Sequence, residues 1–163
     1  MQRRHFLGLT LASGAALLLA GCGFHLRGVG GEVLSLDSLA LDGADTPFAE
    51  QLTKRLESLG TRVDETASLR LNLGGEDVSI RQVGVLDTGS QDQQLVLRIP
   101  YSIQRASDGA YLADRQAVEV LEEFSITDDN LLSQDELRTD ALENARREAV
   151  RQMIDRLRAI EEV

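Results

Sequence analysis

The sequence is poor in the residues that form disulfides, metal sites and aromatic stacks. Its 163 residues include one cysteine, two histidines and no tryptophan, and aromatic residues make up 4% of the chain. One cysteine excludes an internal disulfide. No basic patch with interleaved aromatic side chains is present, and acids outnumber bases by 27 to 17. We therefore expect no nucleic-acid partner, because a net charge of −10 repels polyanions.

One uncharged apolar stretch is present, and it runs from Phe6 to the sequence Leu19-Ala20-Gly21-Cys22. At about 14 residues before its small-residue end, it is too short to cross a ~30 Å hydrocarbon core as a helix. Arg3 and Arg4 precede it, which is the layout of a secretory signal. Residues 1–21 are therefore predicted to be a signal peptide, and no second apolar run is long enough to span a membrane.

The sequence from Leu19 to Cys22 resembles the lipobox of bacterial lipoproteins. In that class the chain is cut between Gly21 and Cys22, and fatty acyl chains such as palmitate are attached to the new terminal cysteine. The resemblance implies stable membrane anchoring, because more than one acyl chain is attached. A short buried helix ending in a structural cysteine is the alternative. The paired arginines also resemble a twin-arginine signal, so the export route stays open.

Cleavage before Cys22 leaves 142 residues, about the size of one domain. The leader contains two of the 17 bases and none of the acids, so the charge becomes −12. Residues 22–32 contain four glycines and predict a flexible tether. Residues 33–163 are then predicted to form a single domain.

Two helices are predicted in this domain. Thr46 and Pro47 are typical of a helix start, and Gly60 of its end. Ser133 and Glu136 have capping-box spacing, and an apolar stripe continues from there toward Ile160.

The strands are predicted from leucine-rich and alternating segments. A leucine-rich run over 34–41 favours a first strand, and alternation marks residues 69–80, 95–103 and 118–126 as three more. Gly74-Gly75 permits a bulge or turn inside the first alternating segment. The order β-α-β-β-β-α predicts an α+β fold, with two helices on one face of a four-stranded mixed sheet. The first two strands are expected to be parallel and the last three to form an antiparallel meander.

Catalytic and metal-binding residues are scarce. His25, the one histidine after the leader, lies on the tether, which cannot hold catalytic geometry. The sequence Asp128-Asp129-Asn130 lacks the later glycine and glutamate of a calcium loop, and is better explained by turns before a helix. Glu119 and Glu123 are a carboxylate pair, but an exposed acidic strand face explains them more simply. We expect no enzyme activity and no cofactor.

Several stretches together resemble one family. The segment from Gly21 to Gly28 is similar to the mature start of the lipopolysaccharide-assembly lipoproteins of the LptE family, also called rare lipoprotein B. Residues 128–132 and 147–157 are similar too, and the predicted order of helices and strands is the order in that family. The likeness covers residues 19–160.

This resemblance implies a non-enzymatic protein, anchored by lipid at Cys22 to the periplasmic side of the outer membrane. Family members form a plug-and-barrel complex with the β-barrel LptD, help that barrel assemble, and assist lipopolysaccharide insertion into the outer leaflet. Gly23 is compatible with sorting to the outer membrane. The alternatives are a pilot or binding module for another outer-membrane assembly and, less favoured, a glycan enzyme using Glu119 or Glu123.

Direct lipopolysaccharide contact is a further expectation from the family. Residues 108–129 contain seven acids and one base, Arg115, so the cations described for some members are largely missing. Arg81 and Arg98 are the remaining candidates for binding lipid A phosphates. Solvent-facing charges between apolar neighbours are the simpler explanation of both.

Overall fold

Two helices and six strands make up the part of the chain that the structure, a computed structural model, describes: residues 34–83, 91–126 and 131–161. The predicted α+β class is confirmed. The predicted leader, Cys22 and the tether lie outside the described residues. The elements in chain order are β1 (Ser38–Gly43), α1 (Pro47–Ser58), β2 (Arg62–Val63), β3 (Leu69–Leu73), β4 (Asp77–Gln82), β5 (Gln91–Arg105), β6 (Tyr111–Ile126) and α2 (Leu131–Glu161).

Helix α1 has the boundaries that its sequence predicts. The Thr46 hydroxyl oxygen accepts a hydrogen bond from the Ala49 amide at 3.2 Å, and Pro47 occupies the first helical position. The apolar spacing buries Phe48 and the leucines that follow it on the same side. The helix ends before Gly60, whose φ of +92° suits glycine.

The sheet is mixed, in the order β2-β1-β3-β5-β4. Strands β3 and β4 pair with successive parts of the long strand β5, and β6 also pairs with β5. Strand β1 runs parallel to β2 and β3, and the pairs of β5 with β3, β4 and β6 are antiparallel. The predicted parallel pair and antiparallel meander are therefore confirmed. The count of four strands is wrong in detail, because β2 is too short to show alternation and one predicted strand is divided into β3 and β4.

A β-bulge at Gly74-Gly75 separates β3 from β4. Leu73 pairs with Tyr101 and Asp77 with Arg98, so one extra residue is inserted opposite β5. The Gly74 amide donates to the Pro100 carbonyl at 2.8 Å across the gap. Because side chains alternate, the insertion reverses which residues face the helices: odd-numbered ones in β3 and even-numbered ones in β4.

Both helices cover one face of the sheet. Strands β5 and β6 supply alternate buried side chains, and α2 packs on them through small and flexible residues. Burying a leucine, isoleucine or valine contributes about 1.5–3 kcal/mol each. The fully buried members of this layer include Leu95, Leu97, Ile99, Ile103, Val118, Ala145, Ala149 and Met153.

Helix α2 starts earlier than its sequence predicts. It begins at Leu131, so Ser133 lies inside the first turn and is not the N-cap residue. The predicted capping box is therefore wrong, because serine is tolerated within a first turn and its spacing to Glu136 does not fix where the helix begins. Residues 127–130, where a calcium loop was the less favoured alternative, lie outside the described residues.

The β5–β6 hairpin closes through Ser107-Asp108-Gly109, residue types that favour a hairpin turn. The Gly109 amide donates to the Arg105 carbonyl at 2.8 Å, and Gly109 has a φ of +70°. The Asp108 carboxylate accepts from the Ala110 amide at 3.1 Å. This backbone hydrogen bond is the largest of the interactions that hold the pKa of Asp108 below its usual value.

We predict that Gly43→Ala destabilises the fold by about 3 kcal/mol or more. Gly43 has a φ of +113°, and a Cβ there would lie 2.0 Å from the Leu73 carbonyl oxygen. Gly60→Ala is the matched control, since it has a positive φ but nothing within 4 Å of the added Cβ. It should cost about 1 kcal/mol. If urea unfolding gave the same loss of unfolding free energy for Gly43→Ala and Gly60→Ala, the close approach of β1 to β3 would be contradicted.

Candidate functional site

The sheet face turned away from the helices is polar, and we call it the open face. Cross-strand partners share a face, so the register identifies its members. The part of the open face formed by β3 to β6 includes Asn72, Ser79, Arg81, Gln94, Arg98, Ser102, Glu119, Leu121 and Glu123. Both arginines that the sequence suggests for lipopolysaccharide contact are on it.

Arg81 is held by a row of hydrogen bonds across three strands. Its Nε donates to Gln94 Oε1 at 2.8 Å, and Gln94 Nε2 donates to Glu123 Oε1 at 3.1 Å. A similar row links β3 and β5, where the Asn72 amide donates to Ser102 Oγ and Gln104 Oε1 at 3.2 Å each. These rows fix polar groups in place on the open face.

Arg98 lies between two carboxylates of neighbouring strands. Asp77 on β4 and Glu119 on β6 are its register partners. Its side chain nevertheless forms no ion pair or hydrogen bond with any described residue. Its guanidinium therefore has free donors, whereas that of Arg81 already binds Gln94.

A shallow depression of about 390 Å³ lies beside Arg98. Asn72, Ser102 and Arg115 also line it, and Asp114 contributes one carboxylate. Arg115 has a φ of +49° at an irregularity in the β5–β6 register, which is uncommon for a residue with a side chain. Its only described ion pair is a long one, 3.6 Å from Nε to Asp114 Oδ2. The depression thus combines two exposed guanidinium groups and one carboxylate with neutral polar groups. The guanidinium groups are its potential donors to an anion.

Three distant parts of the chain meet at the carboxylate of Glu76. Oε1 accepts from the Phe48 amide at 2.7 Å, at the amino end of α1. Oε2 accepts from Arg146 of α2, at 3.0 Å from Nε and 2.8 Å from the terminal nitrogen. The side chains of Glu76 and Arg146 are 9% and 16% exposed, so this pair is largely shielded from water. No sequence pattern pointed to Glu76.

A second contact fixes the other half of α2. The Arg156 guanidinium donates to the Ala117 carbonyl at 2.7 Å and to the Tyr101 hydroxyl at 3.2 Å. It also lies 5.4 Å from the centre of the Tyr101 ring, within the range of a cation–π interaction. These contacts hold α2 to β5 and β6 at Tyr101, which also lines the depression.

Neither a metal-binding cluster nor an enclosed Glu119–Glu123 pair is found among the described residues. Within residues 34–83, 91–126 and 131–161, no three carboxylate, histidine or cysteine side chains are grouped to hold a metal ion. Glu119 and Glu123 are exposed, so they do not have the apolar enclosure that a glycosidase general acid needs. No helix in the described ranges is long and apolar enough to cross a membrane.

The fold is that of solved bacterial lipoproteins. Lipoprotein B from Nitrosomonas europaea superposes with a TM-score of 0.67 at 20% identity, covering 86% of this chain and 94% of that one. Rare lipoprotein B from Shewanella oneidensis gives 0.52 at 15% identity, covering 74% and 89%. A minor lipoprotein from Acinetobacter baumannii gives 0.55 at 12% identity, covering 78% and 93%.

A family model identifies the chain more narrowly than its fold does. The model for LptE, described as lipopolysaccharide-assembly, matches residues 3–157. The chain therefore belongs to the LptE family, as its resemblance to that family predicted, and its role lies in lipopolysaccharide assembly. A search of curated proteins found no match.

We predict that Glu76→Ala lowers the free energy of unfolding by about 3–5 kcal/mol, because Arg146 is left charged and unpaired in a shielded position. The double variant Glu76→Met/Arg146→Met should recover much of this loss, since no unpaired charge remains. Asp135→Ala is the control, because it breaks an exposed pair with Arg138 and should cost less than about 0.5 kcal/mol. A Glu76→Ala loss as small as that of the control would contradict the importance of this contact.

Proposed function

We propose that this chain is a non-enzymatic outer-membrane lipoprotein that plugs the β-barrel LptD and helps it assemble. In this proposal the signal peptide is cut after Gly21, and Cys22 carries the lipid that holds the domain on the periplasmic side. The complex of plug and barrel then inserts lipopolysaccharide into the outer leaflet. Family membership supports the role in lipopolysaccharide assembly, and the lipobox supports the anchor.

The polar open face is the observation that carries the plug proposal. Barrel lumens in the outer membrane are polar, so a domain inside one needs a hydrophilic exterior. Here one sheet face carries rows of hydrogen-bonded amides and charged groups, with Leu121 as an exposed apolar residue among them. A sheet whose two faces were both apolar would need a second covering layer instead.

The proposal predicts a stable complex that can be isolated. Tagged full-length chain, extracted from outer membranes in mild detergent, should carry LptD in about equal amount. Mass spectrometry of the same sample should find an amino terminus at acylated Cys22. Recovery of the lipoprotein alone, or of a different outer-membrane protein, would overturn the proposal, and the latter result would favour a pilot or binding module for another assembly.

Depletion separates an assembly role from enzymatic activity. Loss of the chain should reduce both heat-modifiable, folded LptD and surface lipopolysaccharide. A Glu119→Gln/Glu123→Gln variant should restore both as well as the unaltered chain does, because neither carboxylate acts chemically. Failure of this variant, when it is folded and present at normal levels, would support a glycan enzyme.

We further propose that lipopolysaccharide phosphates contact the open face at Arg98. Its guanidinium has unused donors beside a depression that Arg115 also lines. Arg81 is the weaker candidate, since Gln94 already accepts from its guanidinium. The overall charge of −12 opposes an anionic glycolipid, so this local cationic site has to act at short range.

The two arginines form a matched pair for a binding test. Arg98→Ala should weaken binding of purified lipopolysaccharide to the detergent-solubilised chain by about tenfold or more, the loss of one charge-assisted hydrogen bond. Arg81→Ala removes the same charge and should change binding by less than about twofold. Equal effects of both substitutions would mean that only net charge matters, and no effect of either would exclude this site.

A further inference from the structure

Strand β4 lies at one edge of the sheet, and the helices leave it uncovered. All six of its residues are exposed, and among the described residues it pairs with β5 alone. Val78 and Ile80 lie opposite Leu97 and Leu95, which are buried under the helices. They are themselves 39% and 43% exposed, so the apolar face of the sheet continues past its helical cover.

The backbone of β4 has hydrogen-bonding groups directed away from the sheet. The Val83 amide donates to the Asp92 carbonyl at 2.9 Å, so residue 83 directs its backbone groups toward β5. In an antiparallel pair this direction alternates along the strand. Val78, Ile80 and Gln82 therefore direct their amides and carbonyls outward. A row of outward-directed groups of this kind is a template for another strand.

The edge formed by β6 is better protected than that of β4. Ala117 lies opposite Pro100, which has no amide hydrogen to donate, and its carbonyl accepts from Arg156 of α2 at 2.7 Å instead. The residues that follow at alternate positions and also direct their backbone groups outward are Glu119, Leu121 and Glu123. Two of these three are acidic, whereas the outward-directed residues of β4 are uncharged. Charge on an edge hinders strand addition, so β4 is the more receptive of these two edges.

We propose that β4 accepts one further strand, supplied by the barrel protein of the proposed complex, an inference that rests on the proposed function. Strands of a closed barrel wall are already paired on both sides, so a wall strand is excluded as the donor. Outer-membrane barrels also have long loops, which can plug the lumen. The added strand is therefore an extended loop segment that reaches the domain inside the barrel, where main-chain hydrogen bonds to β4 hold it.

The side chains of β4 specify the chemistry of this segment. Cross-strand partners share a face, so Val78 and Ile80 favour apolar residues at two alternate positions opposite them. On the open face, the Asp77 side chain has no hydrogen bond or ion pair with any described residue, and Arg81 binds only the neutral amide of Gln94. We therefore expect a base opposite Asp77 and an acid opposite Arg81. The segment alternates apolar residues with charged ones.

Hydrogen exchange at single backbone amides tests the strand addition. The full-length lipoprotein in detergent is measured alone and in its purified complex with LptD. The outward amides of Val78, Ile80 and Gln82 should exchange at least about tenfold more slowly in the complex, because each gains a hydrogen bond. The outward amides of Leu121 and Glu123 on the β6 edge are the matched control, and their exchange should change by less than about twofold.

A proline removes one outward donor and leaves the hydrogen bonds to β5 in place, since an edge strand tolerates proline where its amide faces outward. Ile80→Pro should reduce the amount of LptD recovered with the tagged chain by about fivefold or more, the loss of one hydrogen bond. Ile80→Ala keeps the amide and should lose less. Leu121→Pro makes the same backbone change on the β6 edge and should leave recovery within about twofold. Urea unfolding of each variant checks that the domain remains folded.

The outcomes separate this inference from the proposed function. If the unaltered chain recovers no LptD, the proposed function and the strand addition both fail. If LptD is recovered but the three outward amides of β4 exchange at the same rate with and without it, the strand addition alone is overturned. Equal losses of LptD from folded Ile80→Pro and Leu121→Pro would overturn it as well.

Discussion

The contact of Glu76 with α1 and α2 is the constraint on which the arrangement of the molecule depends. One carboxylate satisfies a backbone amide at the amino end of α1 and a guanidinium of α2. Helix N-termini favour a negative charge, and a shielded arginine requires one. Both requirements are met by one residue of the short segment that joins β3 to β4, so the position of each helix is tied to that segment.

The bulge before Glu76 makes this contact and the open face compatible. Without the extra residue, the alternation of β3 would continue and Glu76 would point away from the helices. Arg81 would then point into the helix-covered side, without its partner Gln94. The insertion at Gly74-Gly75 reverses the alternation, bringing a carboxylate to the helices and a guanidinium to the open face. The insertion of one residue thus places the carboxylate of Glu76 on the side of the helices and the guanidinium of Arg81 on the open face.

Much of this architecture could be predicted from local patterns. Two examples are the start of α1 at Thr46-Pro47 and the alternation of β5 and β6. Both depend on residues close together in the chain, and both are confirmed. Glu76 could not be predicted in the same way, because its partners are 28 and 70 residues distant.

Arg81 and Arg98 are a second case in which local sequence patterns are not sufficient. Alternation in the sequence placed Arg81 and Arg98 outside the apolar stripe. Only the side-chain hydrogen bonds of the folded chain show that Arg81 is already bound to Gln94 and that Arg98 is not. The start of α2 differs from the prediction because a serine and a glutamate at capping distance also fit inside a helix, here in its first and second turns.

We propose that this domain lies inside a barrel, and not merely against one. Photoreactive residues at Arg98 on the open face and at Glu143 on the exposed side of α2 test it in living cells. A plug is surrounded by the barrel wall, so both positions should cross-link to LptD. Cross-links from one side only would indicate a docked module, and none from either side would contradict the account.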